Sequence, residues 1–179
     1  TFLDDGEEYS IDVIQPEKIE FKQNSYEDGE NSIISFPEFL LLVLDVCTGG
    51  EQPASHYQPD KLIEKFDALK TYFTAGEFYE KMLYYRLLLD YYTIRRDIKD
   101  GQGNYSLILK GPKDDSDKLK QYQSMLYVST EAFYNWLKPY LRKLEQDELH
   151  SCAEMLAFLK KEDNERHSKI GRASCRERV

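Results

Sequence analysis

Apolar and polar positions recur along most of this chain with a helical period. In SFPEFLLLVLDVC an apolar run from Phe39 to Leu44 is broken at once by Asp45. Ser35 and Glu38 form a capping box at the start, and Pro37 lies in the first turn. The pattern predicts a helix that Thr48-Gly49-Gly50 ends. After a loop marked by Pro53 and Pro59, PDKLIEKFDALKTYF predicts a second helix with Leu62, Phe66 and Leu69 on one face.

Thr74 and Glu77 make another capping box, which opens a long helix predicted to run to Ile98 and to stop at Asp100-Gly101-Gln102-Gly103. On a helical wheel Phe78, Met82, Tyr85, Leu89 and Tyr92 cover one side, and Leu83, Leu87 and Ile94 carry the apolar surface almost to the opposite side. A helix apolar nearly all round is expected to be buried by neighbours on several faces.

YSLILK, Tyr105 to Lys110, predicts a short strand, and GPKDDSD a loop. Helices are predicted over Asp117 to Tyr127 and over TEAFYNWLKPYLRKL, the latter capped by Ser129 or Thr130 and kinked or broken near Lys138 by Pro139. ELHSCAEMLAFLKKEDNERH predicts a last helix, with Leu149, Cys152, Leu156 and Leu159 as its apolar stripe. The fold class expected is therefore mainly α, a multi-helix bundle-like domain with a short β element near 105–110. Within YSIDVIQPEKIEFK, loose alternation about Gln15-Pro16-Glu17 adds a candidate N-terminal hairpin.

Charge divides the chain further. Residues 1–31 hold ten Asp and Glu against Lys18 and Lys22, an acidic segment that reads as the end of an upstream domain. Residues 32–169 form the helical middle domain. IGRASCRERV, 170–179, departs sharply from what precedes it and reads as a translated sequencing adapter, so it is set aside. Removing it takes away three Arg and one Glu and moves the net charge from −9 to −11. That balance argues against a phosphate-binding surface spread over the whole chain. The start, TFLDDGEEYS, has neither an apolar signal core nor an initiator Met, so the chain is expected to begin mid-protein. No apolar run reaches membrane-spanning length. Cys47 and Cys152 are expected to be reduced, buried thiols of a cytoplasmic protein.

Candidate chemistry is sparse. His56, His150 and His167 are scattered, His150 and Cys152 fall on different helical faces, and they read as ordinary, partly exposed residues. Glu162 to His167 reads as a solvated charged helix end. No Ser or Cys has a His–Asp partner at a readable spacing. DGQGN, Asp100 to Asn104, reads as a turn, with no strand before it and no Lys-Ser/Thr after it. Lys118, Lys120 and Tyr122 could touch phosphate or stack a base, but read more simply as an amphipathic helix with lysines outside. No catalytic, cofactor-binding or metal-binding residue is assigned.

Arg86 and Asp90 stand out inside EKMLYYRLLLDYYTIRRDI, on a strip shared with Tyr79 and Thr93. Their i, i+4 spacing lets them touch. Two readings are open: a structural ion pair that fixes helix packing, which the wheel favours, or a polar coupling point to another domain. If the pair is buried, removing one partner costs about 3–5 kcal/mol, and Asp90→Ala lowers the melting temperature markedly.

The segments, taken in order, resemble the GmrSD-type restriction endonuclease family of bacteria and archaea. The matching pieces are SIISFPEFLLLVLDV (Ser32 to Val46), PDKLIEKF (Pro59 to Phe66) and FYEKMLYYRLLLDYYTIRRD (Phe78 to Asp97). NYSLIL (Asn104 to Leu109), QSMLYVST (Gln123 to Thr130), YNWLKPYL (Tyr134 to Leu141) and LAFLKKEDN (Leu156 to Asn164) continue the series. The resemblance implies a prokaryotic DNA-defence protein. Its parent would carry a nucleotide-responsive ParB-like domain before this region and a His-Asn-His nuclease domain after it. The family's Asp-Gly-Gln-Gln-Arg motif is not matched, because Asp100 to Gln102 lacks the second Gln and the Arg. No His-Asn-His set can be assembled from His150 and His167. The chain therefore reads as a catalytically silent internal fragment, with nucleotide, divalent metal and DNA belonging to the parent. Its own partners would be the flanking domains, with no membrane. The alternative is a stand-alone helical protein-interaction module.

Overall fold

The computed structural model describes residues 29–98, 104–112, 116–129 and 132–176, with backbone alone for 29–30 and 169–176. The candidate hairpin within residues 9–22, and residues 100–103 of the DGQGN turn, lie outside the described residues. Among those described are strand β1 (Gly29–Ser32), helices α1 (Phe36–Cys47), α2 (Leu62–Leu69) and α3 (Ala75–Tyr92), and strands β2 (Ile94–Ile98) and β3 (Tyr105–Leu109). Helices α4 (Ser116–Val128), α5 (Phe133–Glu145) and α6 (Cys152–Arg176) complete the set. The fold is mainly α with a small three-stranded antiparallel sheet, ordered β1-β2-β3.

Both capping boxes form. The Ser35 hydroxyl accepts from the Glu38 amide while Glu38 accepts from the Ser35 amide, and Thr74 and Glu77 repeat the arrangement. Each satisfies amides that have no partner inside the helix. Helix α1 is the most enclosed element, with Phe39 and Leu41 through Asp45 all buried. It packs against α2 and α3, while α5 packs on α3 and α6, and α4 lies against β2, β3 and α6. Trp136, Leu137, Tyr140, Leu141 and Leu144 of α5 are buried on both sides of Pro139, and the helix runs through the proline without a break. A helix-interior proline costs about 3 kcal/mol. Burying several large side chains at about 1.5–3 kcal/mol each outweighs that cost.

Several expectations are corrected. The long helix ends at Tyr92, and Ile94–Ile98 is the central strand of the sheet. The switch is held from outside by Gln123 on α4. Its Oε1 accepts from the Ile94 amide at 2.9 Å and its Nε2 donates to the Tyr92 carbonyl at 3.0 Å. The Thr93 hydroxyl donates to the Leu89 carbonyl at 2.6 Å, and the Tyr140 phenol donates to the Tyr92 carbonyl at 3.1 Å. Gln123, Thr93 and Tyr140 thus partner backbone groups that leave the helical ladder where α3 ends. The β element near 105–110 is one edge of a larger sheet, Ile94 facing Leu109 and Ile98 facing Tyr105. On the other edge β1 runs across the expected boundary at 31/32, pairing Gly29 with Ile98 and Ser32 with Arg95. The helix α5 N-cap is Ala132, without a side-chain cap, and the Ser129 hydroxyl instead closes α4 on the Leu126 carbonyl. Helix α6 continues through Ile170 to Arg176.

Candidate functional site

Helix α3 is apolar on both sides, but only one of them is covered. Tyr85 and Leu89 are buried, and Phe78, Met82 and Tyr92 pack on the core, as the wheel predicts. The opposite side is not buried. Tyr79, Leu83, Tyr84, Leu87 and Tyr91 are exposed, Leu87 by 68%. Their spacing places them on one face of the helix. The expected all-round burial is corrected: the described part of the chain covers the inner side only.

Arg86 and Asp90 lie along the edge of that open face. Arg86 Nε donates to Asp90 Oδ2 at 2.8 Å, and Arg95 Nε of β2 approaches Asp90 Oδ1 to 3.9 Å. The Arg86 and Asp90 side chains remain 38% and 29% exposed. A pair this wet is screened by solvent and is worth about 0–1 kcal/mol. The large cost expected of a buried pair therefore does not apply. Asp90 thus stands between Arg86 of α3 and Arg95 of β2.

Beside the N-terminal half of α3, a cleft of about 500 Å³ opens between α3 and α5, lined by Glu77, Glu80, Lys81, Tyr84 and Glu145. Its carboxylates are largely committed. Glu77 closes the capping box, where hydrogen bonds from Thr74 hold its carboxyl below the usual range. Glu145 accepts from Lys81 and, at 2.6 Å, from the Tyr85 phenol. Burial and that hydrogen bond push the Tyr85 phenol far up, so it stays a donor. Half-buried Cys47 lies near Lys81, and burial raises its thiol, the opposite of an activated nucleophile. Across the cleft, Glu145 of α5 joins Lys81 and Tyr85 of α3.

A second polar centre was missed on the sequence. Asp45, at 0% exposure, closes helix α1 from within. Its carboxylate accepts from the Tyr57 phenol, from Lys138 Nζ at 2.9 Å and from the Gln52 amide at 2.8 Å. Lys138 Nζ also reaches the Gly50 carbonyl at 3.2 Å, and Arg142 Nη1 lies 3.4 Å from the same oxygen. Gly50 has φ +78°, a backbone conformation that favours glycine, and the end of the Arg142 side chain lies over its Cα. Tyr57 stacks on Tyr134 at 4.4 Å and is driven far up in pKa by burial and by Asp45. Each acceptor of the buried carboxylate has a donor, and two cations neutralise the negative end of α1. The only sequence signal was a charged residue at the end of an apolar run. Tyr57 and Lys138 are too distant in sequence to be read as its partners.

The remaining candidates resolve as follows. His56 is buried, contrary to expectation, with Nε2 2.8 Å from the Leu41 carbonyl and Nδ1 buried without a hydrogen-bond partner. Burial lowers its pKa. His150 and His167 are exposed and stand 3.6 Å from Asp147 and 3.3 Å from Asp163. The charged end Glu162 to His167 is more organised than expected. Asp163 is only 15% exposed and accepts from the Tyr122 phenol at 2.9 Å, pinning α4 to α6. DGQGN is preceded by a strand, β2, which corrects that part of its reading, although no Lys-Ser/Thr follows. Cys152 is buried, and neither it nor Cys47 forms a disulfide. Among the described residues no three His, Cys, Asp or Glu side chains gather to hold a metal ion, and no helix is long and apolar enough to cross a membrane. No protein-family model, curated protein or solved structure matches the chain.

Proposed function

We propose that this chain is the helical middle region of a GmrSD-like DNA-defence protein, of the type that restricts modified DNA. In this reading it is catalytically silent itself and couples a nucleotide-responsive ParB-like domain to a His-Asn-His nuclease domain. Nucleotide, divalent metal and DNA act on those neighbours, in the cytoplasm of a prokaryote. The observation that carries the reading is the open face of α3. It lies within the longest stretch of the family resemblance, and a contiguous apolar patch on a helix marks a surface that another protein part covers. In this reading Asp90, between Arg86 and Arg95 at the edge of that face, would pass a shift of α3 to the sheet.

The test is in the gene and then in the protein. Reading outward from both ends should reveal an Asp-Gly-Gln-Gln-Arg domain on one side and a His-Asn-His domain on the other. Flanks that encode neither end the proposal. In the parent, Leu87→Asp should leave the fold intact and uncouple nucleotide from DNA cleavage, because Leu87 touches solvent here and would touch a neighbour there. A second reading, a stand-alone helical interaction module, is favoured by the same face. A start codon directly before Thr1 and a stop codon near Lys169 would select it.

A further inference from the structure

The open face of α3 and the cleft between α3 and α5 are continuous, because Tyr84 belongs to both and Glu80 of the cleft lies beside it. On the helical wheel Glu80, Leu83 and Leu87 share one sector of about 60°. Tyr84 and Tyr91 flank that sector on the side of the cleft, and Tyr79 flanks it on the other. The five apolar residues Tyr79, Leu83, Tyr84, Leu87 and Tyr91 are 42–68% exposed. Together they offer roughly 500 Å² of largely apolar surface, the scale of the largest patch on an ordinary monomer. A standard protein–protein interface takes about 800 Å² from each side. From residue 79 to residue 91 the face is roughly 18 Å long, so it suits one helix of three to four turns laid along α3.

Charge selects the occupant. The cleft holds the carboxylates of Glu77, Glu80 and Glu145 against the ammonium of Lys81. Glu145 is held by Lys81 and Tyr85, and Glu77 accepts from Thr74 in the capping box. Glu80 is exposed and pairs with no described residue, so it is the carboxylate left open to a partner. The exposed Tyr84 ring lines the same cleft one turn further on. A carboxylate beside an open aromatic ring suits a guanidinium, which pairs with the acid in its own plane and stacks on the ring. Two other occupants carry the wrong charge. The chain's own N-terminal segment is acidic. A second copy laid antiparallel with Leu83 against Leu87 sets Glu80 against the other copy's Asp90.

We propose that the open face of α3 and the α3–α5 cleft form one docking site for a basic amphipathic helix. Apolar side chains of that helix lie along Leu83, Leu87 and Tyr91. An arginine at its end enters the cleft, pairs with Glu80 and stacks on Tyr84. The apolar face supplies the area, and Glu80 sets the orientation and the choice of partner. The proposal rests on the reading that another protein part covers α3, and adds the chemistry of that part.

The probe is a fluorescent helical peptide of about four turns, with leucines along one face and an arginine at one end of it, measured by anisotropy against the full chain. Its control carries glutamate in place of the arginine. The arginine peptide should bind about tenfold more tightly than the control. Glu80→Arg should abolish that preference, whereas Glu165→Arg, the same charge change on α6, should leave it within about twofold. Both glutamates are exposed, so the far-UV circular dichroism should not change. Leu87→Asp should weaken both peptides. Failure of the arginine peptide to bind, equal binding of the two peptides, or an equal loss of preference in Glu80→Arg and Glu165→Arg overturns the proposal. So does a dimer of the chain in sedimentation that Leu87→Asp dissolves. Loss of coupling by Leu87→Asp in the parent, with no binding of the arginine peptide, would end this proposal alone. Site-specific binding of the peptide, with flanks that encode neither expected domain, would end the GmrSD reading alone.

Discussion

Asp45 and Asp90 are both aspartates near the C-terminal ends of largely apolar helices, and both meet a cation within 2.9 Å. They differ in what surrounds them. Asp45 is fully buried among Tyr57, Lys138 and the Gln52 amide, while Asp90 keeps 29% of its side chain in contact with solvent. A buried carboxylate is expensive unless every lone pair is met, so its partners are mutually dependent. Asp90 is half-buried: its Oδ1 is enclosed without a hydrogen-bond partner, but the rest of the side chain meets water, which can replace part of the Arg86 contact. The same pairing chemistry thus makes a keystone in one place and an adjustable contact in the other. The rigid centre joins α1 to α5, and the adjustable one lies on the rim of the open α3 face.

The contrast can be tested in descending order of effect. Replacing one partner of the buried centre, as in Lys138→Met, should destabilise the fold by about 3–5 kcal/mol, read from urea unfolding, because the enclosed Asp45 carboxylate loses its Lys138 partner. Tyr57→Phe removes one donor from the same carboxylate and should cost about 1–3 kcal/mol by the same measurement. Equal, small losses for both variants would erase the distinction.

Acid should reach the buried centre through His56, which packs edge-on against Tyr57 and lies near Asp45, Lys65 and Lys138. Burial holds its folded pKa below the ordinary 6.5, so the unfolded chain takes up the proton first. Stability from this group is complete above about pH 6.5 and declines as pH falls below it towards the lower folded value. The urea midpoint should therefore drop between pH 7.5 and 5.5, and His56→Gln should flatten that slope. A slope unchanged by the substitution would assign it to other groups.

The smallest effect belongs to the half-buried Arg86–Asp90 pair. Asp90→Ala should cost under about 1 kcal/mol, and 1 M salt should remove most of the difference from wild type. A loss as large as that of Lys138→Met would restore the buried-brace reading that the sequence suggested.

How much was legible follows from the range of the interactions. Ser35/Glu38 and Thr74/Glu77 act over three residues, so both helix starts could be read. So could the Gly49-Gly50 stop, because positive φ is a property of the residue itself. The stripe Cys152, Leu156 and Leu159 places α6 on the core, with Met155 added to it. The end of α3 was not legible. Leucines and tyrosines lie on both sides of its wheel, and periodicity cannot tell a face that is buried from one that is left open. Thr93 and Ile94 did carry a local hint, since β-branched residues favour strand, but the apolar rhythm ran past them.

The sequence by itself determined a mainly helical chain, the caps of α1 and α3, and the inner faces of α1, α3 and α6, because these depend on neighbours within a turn or two. Tertiary structure alone decided the helix-to-strand switch at Thr93, the burial of Asp45 and the exposure of Leu87. Each depends on residues far away in the chain: Gln123 and Tyr140 for the switch, and Tyr57 and Lys138 for the carboxylate. For Leu87 what decides is that no described element packs over it. Local pattern fixes which surfaces are apolar, and only packing decides which of them meet water.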